Sequence, residues 1–126
     1  MVNMYSAGIV LVFTLLPSVV LACFSANGEL IEVRGSVTKV TFPGPPNYEN
    51  IESGDLPETV FVLISEKEIC IEGIEEAQKK FQLFWNSPSV SNFEEGVTIV
   101  RGNTMEAMTG HHHTKVLIEV QSAYSP

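Results

Sequence analysis

The stretch Glu29–Phe42 (ELIEVRGSVTKVTF) constrains this chain more than any other. It is crowded with β-branched residues, and Ile31, Val33, Gly35 and Val37 recur on one side with a period of two. A helix would scatter those positions around its circumference. The segment therefore reads as a long strand with one face in a core, bent at Gly35 where no side chain stands. It stops at Pro43–Glu58 (PGPPNYENIESGDLPE), whose four prolines and two glycines make a loop with a restricted backbone.

The downstream segments are also of strand length. Thr59–Ile64 (TVFVLI) is continuously apolar, and Glu68–Glu72 (EICIE) extends it or follows a small bulge. Between Ile74 and Trp85 helical and strand spacings both fit, and the aromatics favour a strand over Lys79–Trp85. Ser87 or Ser89 is placed to cap a short helix through Glu95, with Gly96 as its end. Val97–Met105 and Lys115–Val120 complete the set. The order strand, strand, strand, short helix, strand, strand predicts a mainly β fold, a small five-stranded OB-like Greek-key barrel with one short helix. Ligands of that fold meet the loops between strands one and two and between strands four and five. Here those loops are the proline-rich segment and Thr109–Thr114 (TGHHHT), so the two oddest stretches are expected on one face.

The N-terminus reads as an address. Ala7–Ala22 is nearly all apolar, shorter than the roughly 20 residues of a spanning helix, and broken by Pro17. Val20-Leu21-Ala22 suits a signal-peptide cut, which makes 1–22 a signal peptide and 23–126 a single domain. The expected location is periplasmic or secreted. Two fates of Cys23 stay open. Val20-Leu21-Ala22-Cys23 looks somewhat like a lipobox, which would give a lipoprotein anchored at Cys23. The favoured reading is a disulfide from Cys23 to Cys70, the only other cysteine, which an oxidising compartment permits.

Charge narrows the partners. Seven Lys and Arg stand against 15 Asp and Glu, a formal net charge of −8, which counts against nucleic acid and against anionic lipid headgroups. No membrane contact is expected unless Cys23 is lipidated. No G-x-S-x-G, H-E-x-x-H or Gly-rich phosphate loop is present. Three adjacent histidines invite zinc or copper, with His111 and His113 facing one way and a third ligand from Glu106, Met108 or the proline-rich loop. The plainer reading has His111, His112 and His113 hydrogen-bonding loop backbone and fixing the turn. In the other loop, Pro45 and Pro46 restrict the path, and Asn47, Tyr48 and Glu49 either line a recognition surface or pack over the barrel end.

Thr41-Phe42-Pro43-Gly44-Pro45-Pro46-Asn47-Tyr48-Glu49, Gly54-Asp55, Pro57-Glu58-Thr59, Ile69-Cys70 and Thr109-Gly110-His111-His112-His113-Thr114 form one pattern. It resembles a family of small exported bacterial domains of unknown function, over about Cys23 to Val120. The resemblance implies an early and a central cysteine, in line with a Cys23–Cys70 pair, and it implies no activity.

The expectation is thus a non-enzymatic binding module of the bacterial cell envelope, with no cofactor and with an envelope protein or small ligand as partner. Its face is Pro45, Pro46, Asn47, Tyr48, Glu49, Thr109, His111, His112 and His113. The alternatives are a zinc or copper protein using His111 and His113, and a small hydrolase using His and Glu.

Overall fold

The computed structural model describes residues 3, 8–17, 22–86 and 95–126. Over these residues it is mainly β, with five strands among them: β1 (Asn27–Pro43), β2 (Pro57–Ile69), β3 (Gln78–Phe84), β4 (Gly96–Glu106) and β5 (Val116–Tyr124). β1 is long enough to serve two partners. Its N-terminal half pairs antiparallel with β4 and its C-terminal half with β2, the two ladders overlapping at Gly35, Ser36 and Val37. A Cβ on Gly35 would lie 2.1 Å from the Ile64 carbonyl oxygen, so glycine alone allows this approach. β2 pairs antiparallel with β3, and β4 with β5, whereas β3 and β5 run parallel over Gln82–Phe84 and Leu117–Glu119. The neighbour order is β1-β2-β3-β5-β4 and β4 returns to β1, so a single sheet closes on itself.

Alternation decides what the sheet encloses. Ile31, Val33 and Val37 of β1 point inward, with Leu63, Phe81, Leu83, Val100, Ile118 and Val120 from the other strands. Each such side chain contributes about 1.5–3 kcal/mol through burial. The aromatic strand predicted over Lys79–Trp85 is β3, but its aromatics are not uniformly core. Phe81 is fully buried, while Phe84 and Trp85 are half-buried. β5 runs beyond the predicted Val120 to Tyr124, because Ser122, Ala123 and Tyr124 continue the ladder with β4. Among the described residues there is no helix, and the short helix expected from Ser87 or Ser89 lies largely on residues 87–94, outside the described residues.

Cys23 and Cys70 form a disulfide. It fastens the chain ahead of β1 to the stretch after β2. Beside it, Phe24 N–H donates to the Cys70 carbonyl at 2.9 Å and Glu72 N–H to the Phe24 carbonyl at 2.8 Å. Residues 8–17 have no regular secondary structure and expose Ile9, Leu11 and Phe13. No helix among the described residues is long and apolar enough to cross a membrane. Residues 18–21, which precede Ala22 at the expected cut, lie outside the described residues.

Candidate functional site

The proline-rich loop, 44–56, is built around Asp55. This side chain is buried, and its carboxylate accepts backbone N–H groups from Asn50 (2.9 Å), Glu49 (2.8 Å) and Asn47 (2.9 Å). Those three donors, led by Asn50, hold the Asp55 carboxyl below its ordinary pKa because they stabilise the charged form. The loop mouth is closed by two backbone bonds, Gly44 N–H to the Leu56 carbonyl (2.6 Å) and Leu56 N–H to the Pro45 carbonyl (2.8 Å). The Pro45–Pro46 peptide is cis. Tyr48 has a φ of 56°, a left-handed conformation that costs a non-glycine residue about 1–2 kcal/mol. The surrounding bonds hold it there.

The histidine loop, 107–115, is folded by its own side chains. His112 Nδ1 accepts the N–H groups of Met108 (2.9 Å) and Thr109 (3.3 Å), and His112 N–H donates to the Thr109 carbonyl (3.1 Å). A nitrogen that accepts two donors carries the lone pair, so the ring proton sits on Nε2. Gln82 of β3 supports the loop as a strand would. Its Nε2 donates to the His111 carbonyl (3.1 Å), and its Oε1 accepts the His113 N–H (2.7 Å). Thr114 Oγ1 accepts Gln82 N–H and donates to the Val116 carbonyl, both at 2.8 Å.

Glu58, at the start of β2, ties the two loops together. Its carboxylate accepts from His111 Nδ1 at 3.0 and 3.1 Å. Because a carboxylate only accepts, Nδ1 carries hydrogen. In the neutral ring Nε2 then accepts, and the Tyr48 hydroxyl donates to it at 3.2 Å. The Tyr48 and His111 rings meet edge to face at 5.4 Å, and a Cβ on Gly110 would lie 2.8 Å from the tyrosine ring. His113 stacks on Phe42, with centroids 4.4 Å apart and planes 3° from parallel. Its Nε2 is buried, lies 3.6 Å from Glu58 Oε2 and has no hydrogen-bond partner.

Tyr48, His111 and His113 are therefore gathered around Glu58. Asn47 and Glu49 join through their backbone and leave their side chains exposed, as is Pro46. Pro45 contributes its carbonyl to the loop mouth, and Thr109 both accepts from and donates to His112. His112 holds its own turn through Met108 and Thr109. Of the third metal ligands named from sequence, Met108 and Glu106 are both exposed, whereas the proline-rich segment Pro43–Glu58 brings Glu58 to His111 and His113. Among the described residues no group of three His, Cys, Asp or Glu is arranged to hold a metal ion. Sequence reasoning did not single out Glu58, Asp55, Phe42 or Gln82 as parts of the site. Phe42, Asp55 and Glu58 stood in the motif pattern without a role, and Gln82 is the one amide inside the aromatic run FQLFW.

The arrangement offers a rigid, chemically mixed surface: a phenol, an imidazole, exposed amide and carboxylate side chains, and two prolines. A family profile described as Domain of unknown function (DUF4431) matches residues 80–123, about a third of the chain, from β3 through the histidine loop into β5. Neither the curated proteins nor the solved structures contain a match. This chain is thus similar, over β3 to β5, to a domain of unknown function.

Proposed function

We propose that the chain is a non-enzymatic binding module of the bacterial cell envelope, exported to the periplasm or beyond. The leader-like run 7–22 and the Cys23–Cys70 disulfide support export. We read the domain as an OB-like barrel, a reading supported by the strand order β1-β2-β3-β5-β4 with its parallel β3–β5 seam. Its recognition face is the pair of loops 44–56 and 107–115, with Tyr48 and His111 at the centre and Pro46, Asn47, Glu49 and Thr109 around them. The partner is an envelope protein or a small ligand.

The observation that carries this reading is the Tyr48–His111–Glu58 chain of hydrogen bonds. It spans two loops separated by more than 50 residues in sequence. Loops ordered before binding lose little entropy when a partner docks, and tyrosine suits such surfaces because its ring is apolar and its tip polar. The test is capture from envelope extract by the wild-type chain and by a Tyr48→Ala/His111→Ala variant, with folding of both checked by circular dichroism. The reading expects a partner held by the first and released by the second. Equal recovery of every partner by both would refute it.

A further inference from the structure

The strand pairing leaves a second feature beside the loops. β5 pairs with β3 only from Gln82 onward, so the first half of β3 and the end of the histidine loop diverge. A cleft of about 330 Å³ lies between them, walled by Lys79 and Lys80 on one side and by His113, Thr114 and Lys115 on the other. Three of the seven Lys and Arg in the whole chain thus line one cleft. All three are exposed, and among the described residues none is in an ion pair. Glu76 is the one acidic residue in the lining, which leaves the cleft cationic on a molecule of formal net charge −8.

Lys79 and Lys80 are consecutive on β3 and so flank the cleft from opposite faces of the strand, while Lys115 lines its other wall and also borders Glu75, Glu76 and Glu106. We infer that this cleft binds the oxyanion, phosphate or carboxylate, of a small anionic ligand, with Lys79, Lys80 and Lys115 as the charges that hold it. The volume falls at the small end of ligand pockets, enough for an anion and a short body. Lysine suits the task as a mobile point charge with three donors. The Thr114 hydroxyl is engaged with Gln82 and Val116, so it is left out of the ligand set. His113 is common to the cleft wall and to the cluster at Glu58, which puts the cleft next to the face described above. The inference rests on that face being the recognition end of the barrel, and it names the ligand class as anionic.

The experiment is a titration of the full-length, disulfide-bonded, ¹⁵N-labelled chain at low ionic strength, with inorganic phosphate and separately with glutarate. Saturable shifts confined to Lys79, Lys80 and His113–Lys115 are expected with at least one of them. Saturation by phosphate alone assigns a phosphate ester, and by glutarate alone a carboxylate. Lys79→Gln and Lys115→Gln, both at exposed positions, are expected to weaken binding about tenfold each. Arg34→Gln, which removes a cation elsewhere, is expected to leave it unchanged. Non-saturating shifts spread over all the lysines, or equal weakening by Arg34→Gln, would overturn the inference. A Tyr48-dependent envelope partner found without anion binding would sink this inference and leave the recognition face standing.

Discussion

The Tyr48 hydroxyl donates to His111 Nε2 across 3.2 Å, and the tyrosine ring lies over Gly110, where a single methyl group would stand 2.8 Å from it. Two loops far apart in sequence are thereby fitted face to face at one end of the barrel. Gly110→Ala is expected to destabilise the protein by about 1–2 kcal/mol, since the added carbon must displace the ring or the loop. In a Tyr48→Ala background, Gly110→Ala should cost little, because the ring it collides with is gone. Chemical denaturation of the two single variants and the double variant checks this, and additive losses would mean that the contact does not join the loops.

Asp55 makes the proline-rich loop sensitive to acid. Its folded carboxyl binds a proton less readily than the unfolded one, because three backbone N–H groups favour the charge. The stability it contributes is full above the ordinary value of 3.8 and is lost as pH falls through the lower folded value. Asp55→Asn should lower stability at neutral pH, and the gap from wild type should narrow as acid is added. Melting curves at pH 7, 5 and 3 read this directly. A gap of constant size would show that the carboxylate is not what holds the loop.

The disulfide closes a long loop, with 47 residues separating Cys23 from Cys70. The loop-entropy relation gives about 4 kcal/mol for such a loop, as an upper value. Replacing both cysteines with serine should cost up to this amount, visible as a lower denaturation midpoint, with a steeper slope because the unfolded chain is freed to expand. A midpoint within error of wild type would mean that β1 and the Phe24–Ile71 bridge already fix the entering chain.

His113 behaves as an aromatic spacer. Its ring is stacked on Phe42, and its Nε2 is buried without a hydrogen bond. His113→Phe keeps the stack and removes an unpartnered polar atom, so stability should stay within about 1 kcal/mol of wild type or rise. His113→Ala should cost about 2–3 kcal/mol by emptying the space against Phe42. If His113→Phe is as damaging as His113→Ala, the imidazole is held by Glu58 and not by its ring.

Much of this scaffold was legible in the sequence because β1 obeys one local rule. Ile31, Val33 and Val37 alternate cleanly, and Gly35 marks the point where two partner strands meet. β3 was harder, since Phe81, Phe84 and Trp85 fit two periods, and only pairing with β2 on one side and β5 on the other decides for a strand. The two loops announced themselves through proline and histidine. Their keystone did not. Glu58 stands in the motif pattern, but its role appears only when the fold carries His111 to it from 53 residues away. Gln82 and Asp55 likewise act on backbone groups whose positions exist only after folding.

The central claim is that the joined loops are the surface a partner touches. A photocrosslinking residue introduced in turn at Glu49, Thr109 and Gln121 tests it most directly, in cells that export the chain. Glu49 and Thr109 lie on the loops, whereas Gln121 lies on β5 outside both and serves as the reference. The account predicts one shared crosslinked species from Glu49 and Thr109, absent from Gln121 and lost when Tyr48→Ala is added. Crosslinks of equal yield at all three positions, or a species captured at Gln121 alone, would contradict it.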